Sequence, residues 1–156
     1  MPGTSFDRVA SIYDATRGGE RRGEVFAGAL APWIIGPTVV ELGVGTGVIA
    51  KGLRRQDIHP IGFDLSEAML RAAVERIGAR AAIADVDQLP LPDDCADVVV
   101  SEYGACLWCD PDLWLAEAAR LLRPGGRLVF LTNSVLVPLC VPDEPGRAGE
   151  TLRRPQ

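Results

Sequence analysis

VVELGVGTGVIA, residues 39–50, decides how the rest of the chain is read. An apolar, β-branched run breaks into glycines at Gly43, Gly45 and Gly47 and then resumes. This is the pattern of a buried strand that delivers its backbone to a ligand at the start of a helix. The dinucleotide fingerprint GxGxxG, counted from Gly43, needs its third glycine at position 48, and that residue is Val48. The loop is of the strand–glycine–helix kind, but it departs from the version that cradles a pyrophosphate.

Outward from the loop, VIAKGLRRQ continues as a helix to the turn at 57–60, and IGFDL at 61–65 is a second apolar strand that ends in Asp64. Ser66 is an N-cap and Glu67 sits in the first turn, so SEAMLRAAVERI is a helix that stops at Gly78. RAAIADV at 80–86 reads as a third strand ending at Asp85, and QLPLPDD separates it from a fourth, ADVVVSEY. Asp110 and Pro111 then open DLWLAEAARLL, with Leu113, Trp114, Ala118 and Leu121 on one face. The RPGG turn at 123–126 leads into a fifth strand, RLVFLTN.

Strands alternating with helices predict an α/β fold, a Rossmann-like doubly wound parallel sheet of about five strands flanked by helices. Upstream, SFDRVASIYDATR and ERRGEVFAGALAPWI are helical patterns, the second with Val25, Phe26, Leu30 and Trp33 on its apolar side. The chain thus divides into a helical lid (1–36), a sheet core (37–133) and an irregular Gly/Pro-rich tail (134–156).

Composition narrows the function classes. The 156 residues are 47% hydrophobic and 24% charged, as in a soluble globular domain, and no apolar run approaches the roughly 20 residues of a membrane span. The first residues carry an early acid and no basic leader, which implies a cytoplasmic protein with no membrane partner. A net charge of -5 argues against a nucleic-acid partner bound by phosphate neutralisation. The pairs Arg21–Arg22 and Arg54–Arg55 have acids close by and read as solvated helix faces. Of the four cysteines, Cys106 and Cys109 form a CxxC, but Cys95 and Cys140 supply no second pair for a zinc site, so no metal is expected.

In an open parallel sheet the ligand crevice lies beyond the carboxyl ends of the strands. That rule brings together the glycine turn, Asp64, Asp85 and Ser101, each at the end of a different strand. Asp64 lies about 20 residues past the turn, where a carboxylate that accepts both ribose hydroxyls is found in such folds. It indicates a nucleoside without choosing among NAD, FAD and S-adenosylmethionine. A second acid, Asp85, suits an adenine amine.

ELGVGTG, GFDLSEAML, IADVDQLPLPDDCADVVVS and EAARLLRPGGRLVF follow one another in an order and spacing that resemble the class I S-adenosylmethionine-dependent methyltransferases acting on small molecules. FDRVASIYD is similar to the helix that closes over the cofactor in many of them. The resemblance implies that S-adenosyl-L-methionine is the cofactor and that Glu41, Gly43, Gly45 and Gly47 hold its methionine end. Asp64 would take the ribose hydroxyls, Leu65 and Met69 would flank the adenine, and Asp85 would accept from its amine beside the Val86 backbone. Ser101 would line the floor under the sulfonium, and Tyr13 and Arg17 would close the pocket from above.

No general base is assigned. His59 precedes the second strand and belongs to the opposite edge of the sheet, which leaves Glu102, Tyr103 and Asp110 nearer the mouth. SEYGACLWC after the fourth strand differs from the Asn/Asp-Pro-Pro-aromatic segment of methyltransferases that act on nucleic-acid amines. The family's sheet usually ends in an antiparallel hairpin beside strand five, and this sequence has no counterpart for it. That implies a truncated chain with an exposed edge strand through which two copies could associate. Three readings follow: a methyltransferase acting on a small-molecule acceptor, a cofactor-binding module or inactive remnant that needs a partner chain, and a nicotinamide-dependent oxidoreductase.

Overall fold

The computed structural model describes residues 5–134, so the tail read from the sequence lies, apart from Ser134, outside the described residues, and Cys140 with it. Two helices, α1 (Ala10–Arg17) and α2 (Gly19–Leu30), precede the sheet. There follow β1 (Val39–Leu42), α3 (Val48–Arg54), β2 (Ile61–Asp64), α4 (Glu67–Ile77), β3 (Ala81–Ile83) and β4 (Ala96–Glu102). The short α5 (Ala105–Trp108), α6 (Pro111–Leu121) and β5 (Leu122–Leu131) complete the order.

The five strands form one sheet in the order β3-β2-β1-β4-β5, and every neighbouring pair is parallel. Strand order reverses between β1 and β4, which places the ligand crevice outside their carboxyl ends. The central strands β1 and β4 are buried on both faces, which is why Val39, Val40 and Leu42 of β1 and the run Val98–Val100 of β4 are apolar, whereas the edge strands β3 and β5 are largely exposed. Side chains alternate between the faces. Val39, Val98 and Val100 pack with Ile49, Leu53, Ala27 and Leu30 under α2 and α3. Val40, Leu42 and Val99 pack with Phe63, Trp114, Ala118 and Leu121 against α6. Burial of each such side chain stabilises the fold by roughly 1.5–3 kcal/mol.

The structure departs from the sequence reading at four places. First, α2 buries Gly23, Ala27 and Leu30, whereas Val25 and Trp33 are 62% and 60% exposed. The reason is close backbone contact with α3. A Cβ on Gly23 would meet the Val48 carbonyl oxygen at 2.3 Å, and one on Gly52 would meet the Gly23 carbonyl oxygen at 2.6 Å. The smallest residues therefore define the contact face.

Second, α6 turns Leu113 to solvent and buries Glu117 beside Trp114, Ala118 and Leu121. Glu117 is tolerated there because its carboxylate accepts from the Leu89 amide at 2.7 Å and from Arg120. Third, β3 ends at Ile83, so Asp85 lies in the following turn. Fourth, the RPGG segment does not precede β5 but interrupts it: the pairing steps from Ala96↔Leu122 to Val98↔Arg127. The α4 boundaries follow the sequence signals, with the Ser66 hydroxyl accepting from the Met69 amide at 3.2 Å and Gly78 at the C-cap. No helix among the described residues is long and apolar enough to cross a membrane.

Helix propensity alone favours alanine over glycine at position 52 by about 1 kcal/mol. The 2.6 Å approach reverses that. Gly52→Ala is expected to lose roughly 1–3 kcal/mol in urea unfolding, the cost of overpacking, and a gain in stability would show that the α2–α3 contact yields freely.

Candidate functional site

A cavity of about 290 Å³ opens at the reversal point of the sheet, between the carboxyl ends of β1, β2 and β4 and the N-terminal helices. Its floor is the glycine turn. The amides of Gly43 and Val44 both donate to the Phe63 carbonyl, at 2.9 and 3.0 Å, which folds the loop over the end of β2. Gly45 has φ +53°, and no atom lies within 4 Å of where its Cβ would stand. A side chain there would be strained and would project into open space, so glycine keeps the loop backbone accessible.

Asp64 closes β2 against this loop. Its Oδ2 accepts from the Gly45 amide at 2.8 Å and its Oδ1 from the Ser66 amide at 2.9 Å. A carboxylate offers about four acceptor sites, so lone pairs remain for a ligand. Burial holds its carboxyl above the ordinary range even though those amide bonds pull it down.

Glu41, on β1, is only 1% exposed and lines the cavity. Its Oε2 is buried without a hydrogen-bond partner. Burial, then the neighbouring Glu102 and Asp64 carboxylates, push its carboxyl up to about 8. Glu102, at the end of β4, is also buried and lines the cavity, and burial holds it above the usual range although Arg22 pulls it down.

Of the residues singled out from the sequence, Tyr13, Glu41, Gly43, Gly45, Asp64, Leu65, Met69 and Val86 line the cavity. Gly47 does not; it is the N-cap of α3 and packs against Ala73 of α4. Arg17 is also outside, with its guanidinium 5.9 Å from the Tyr13 ring centroid on the exposed side of α1. Asp85 is exposed in the turn after β3, where it accepts from the Asp87 amide at 3.1 Å. Ser101 is fully buried, and its hydroxyl ties the site's frame instead of forming its floor. It donates to the Leu42 carbonyl at 3.0 Å and accepts from the Cys106 amide at 3.2 Å.

Other residues enter the site that sequence reasoning placed elsewhere or passed over. Arg22, read as part of a solvated face, lines the cavity and donates to Glu102 Oε1 at 2.5 Å. Phe6 and Trp108 line it too, Phe6 meeting the rings of Tyr13 and Trp108 edge-on at 6.4 and 5.4 Å. Phe6 and Tyr13 are seven residues apart, a helical repeat that the sequence did contain. Asp110, in contrast, is the N-cap of α6, and His59 is exposed beside Asp57. Cys109 lines the cavity, but burial and then the nearby acids push its thiol up to about 11, and no group of three metal-ligating side chains occurs among the described residues.

The N-terminal helices are fastened over the cavity by two carboxylates. Asp14 accepts from the Thr46 hydroxyl at 2.6 Å and from Arg76 at 2.5 Å, while Arg76 also donates to the Thr46 carbonyl at 2.7 Å. Asp7 accepts from the Ser66 hydroxyl at 2.7 Å and the Ala68 amide at 3.1 Å. The lid is thereby joined to the glycine turn itself.

Residues 40–130 match the family described as methyltransferase domain. The chain is 38% identical over 130 residues to a malonyl-[acyl-carrier protein] O-methyltransferase of Herminiimonas arsenicoxydans, covering 82% of this chain and 49% of that one. It is 31% identical over 134 residues to a demethylmenaquinone methyltransferase of Clavibacter sepedonicus, covering 80% and 55%. A crystal structure of an S-adenosylmethionine-dependent methyltransferase from Thermotoga maritima superimposes with a TM-score of 0.67 at 30% identity, covering 80% of this chain and 58% of that one. The chain thus spans about half the length of the curated relatives it matches.

The Glu41 carboxyl binds its proton more tightly folded, at about 8, than unfolded, at 4.5. Its contribution to stability is therefore complete below pH 4.5 and is lost as pH rises toward 8. Thermal and urea melts of Glu41→Gln should lose less stability than wild type between pH 5 and pH 8.5, by on the order of a few kcal/mol. Parallel pH profiles for the two proteins would refute a protonated Glu41.

Proposed function

This chain belongs to the class I S-adenosylmethionine-dependent methyltransferase family, and from that premise we propose that it transfers a methyl group to a small-molecule acceptor at the cavity over the glycine turn. The observation that carries the reading is the buried, unpartnered Glu41 Oε2 at a cavity that Asp64 and Glu102 also line. Such a carboxylate calls for a cation, because a buried acceptor left unpaired costs about 1–3 kcal/mol or more. S-adenosyl-L-methionine, the cofactor of the family, carries both an ammonium and a sulfonium and fits that requirement. A dinucleotide fits poorly: its pyrophosphate would face these acids, and Val48 stands where a third glycine is needed.

When bound, the cofactor supplies a methyl group activated by its positive sulfur. Glu41 and the Gly43–Gly45 backbone would hold its methionine end, with Asp64 at the ribose hydroxyls. Leu65, Met69 and Val86 form an apolar wall suited to the adenine faces. Phe6, Tyr13 and Trp108 would cover the pocket, and α1 is held in place by Asp14 on Thr46. Exclusion of water and alignment of acceptor and methyl group supply most of the rate in such a displacement, on the order of 7–11 kcal/mol for positioning. The family assignment does not extend to the acceptor, and the relatives named above act on chemically different ones by their names.

Calorimetric titration tests the reading. S-adenosylhomocysteine should bind, and Asp64→Ala should weaken it by about tenfold or more, the loss of at least one charged hydrogen bond. Binding of NADH with no response to S-adenosylhomocysteine would overturn it.

A further inference from the structure

We infer that the methyl acceptor is an amine on an apolar framework, taken up as a cation against the aromatic side of the cavity, with Glu102 as the carboxylate that receives its proton. This rests on the methyl-transfer reading above and names its substrate class.

Two buried carboxylates, Glu41 and Glu102, and the half-buried Asp64 line the cavity, and Arg22 is the one cation among its described lining residues. Arg22 is already committed. It donates to Glu102 Oε1 at 2.5 Å, and its guanidinium carbon lies 5.4 Å from the Phe26 ring and 5.5 Å from the Tyr103 ring. No anionic acceptor finds a free guanidinium there. An acceptor carboxylate would bring a like charge to these acids, whereas an ammonium would pair with one of them.

The second observation is the wall facing those acids. Phe6, Tyr13, Tyr103 and Trp108 line the same cavity, and aromatic rings attract cations. Tyr103 is held in an unusual backbone conformation, φ +48°, so its ring stays beside Arg22 and Glu102. A carboxylate backed by aromatic rings is an ammonium site by its chemistry.

Glu102 also has the capacity for the proton. Its Oε1 is engaged by Arg22, and no donor among the described residues is paired with Oε2. An ammonium cannot attack a methyl group until it has lost a proton, and Glu102 takes that proton to become the neutral acid. The freed nitrogen lone pair then forms the new N–C bond while the S–C bonding pair withdraws onto sulfur, which becomes a neutral thioether. The product is an N-methylated ammonium ion.

The test uses the chain saturated with S-adenosylhomocysteine and three probes of similar shape: benzylamine, benzyl alcohol and benzoate. Benzylamine is expected to bind at least about tenfold more tightly than benzyl alcohol, with benzoate weakest, and Glu102→Gln should abolish that preference. Benzylamine binding no tighter than the alcohol, or not at all, overturns the inference, as does an unchanged preference in a folded Glu102→Gln. The wild-type ranking decides by itself should the variant fail to fold. Failure of wild type to bind S-adenosylhomocysteine would instead overturn the methyl-transfer reading.

Discussion

Asp64 joins segments that the chain keeps far apart: the end of β2, the glycine turn after β1 through the Gly45 amide, and the start of α4 through the Ser66 amide. Ser66 in turn passes its hydroxyl to Asp7 of the N-terminal segment. One half-buried carboxylate therefore fixes the loop, the helix start and, at one remove, the cover over the cavity. Its charge is disfavoured by burial and retained by backbone donors, so it remains ready to accept more bonds. Loss of Asp64 would remove a carboxylate from the cavity and at the same time loosen the frame that presents the other lining groups.

The lid follows the same logic. Asp14 reaches Thr46, a residue of the glycine turn, and Arg76 closes the ring by donating to both. Tyr13 is next to Asp14 and lines the cavity, so the side chain that covers the pocket is set by a neighbour that grips the pocket's floor. Movement of α1 would release Thr46 and Arg76 together. The lid and the loop are thus one mechanical unit, although 32 residues separate the two ends of the bond.

What could be read directly from the sequence was what short-range chemistry determines. The strands β1, β2 and β4, the glycine turn, the Ser66 cap and the Asp64 position all depend on a few adjacent residues, and all stand where the local pattern puts them. The failures share a different cause. Val25 and Trp33 look like a core face by periodicity, but α2 turns its glycine side inward because α3 offers a glycine of its own at the contact. Arg22 looked solvated because its sequence neighbours are polar. Its partner is Glu102, 80 residues away, and nothing local marks that pairing. Asp85 was credited with a strand end, and it missed the cavity because β3 stops two residues sooner. Ser101 points to the α6 side of the sheet by simple alternation, and the next residue, Glu102, points to the cavity.

That alternation carries a wider consequence for the electrostatics. Along β4, Val98 and Val100 face α2 and α3, and Glu102 continues the same side just where the sheet gives way to the cavity. Glu41 reaches the cavity in the same way from β1, its in-register partner being Val100. Two acids are thus carried on rigid central strands into one small apolar enclosure, where Glu102 adds to the cost of ionising Glu41. A fold selected for stability alone would place aliphatic side chains at both positions, as it does at Val39, Val98 and Val100 on the same face of these strands. The acids repay that cost when a cation arrives, and a site built on central strands holds them in place more firmly than a loop would. The strand pairing that makes the core continuous also aims the charge, and the proposed affinity for a positively charged ligand is in this sense a property of the sheet.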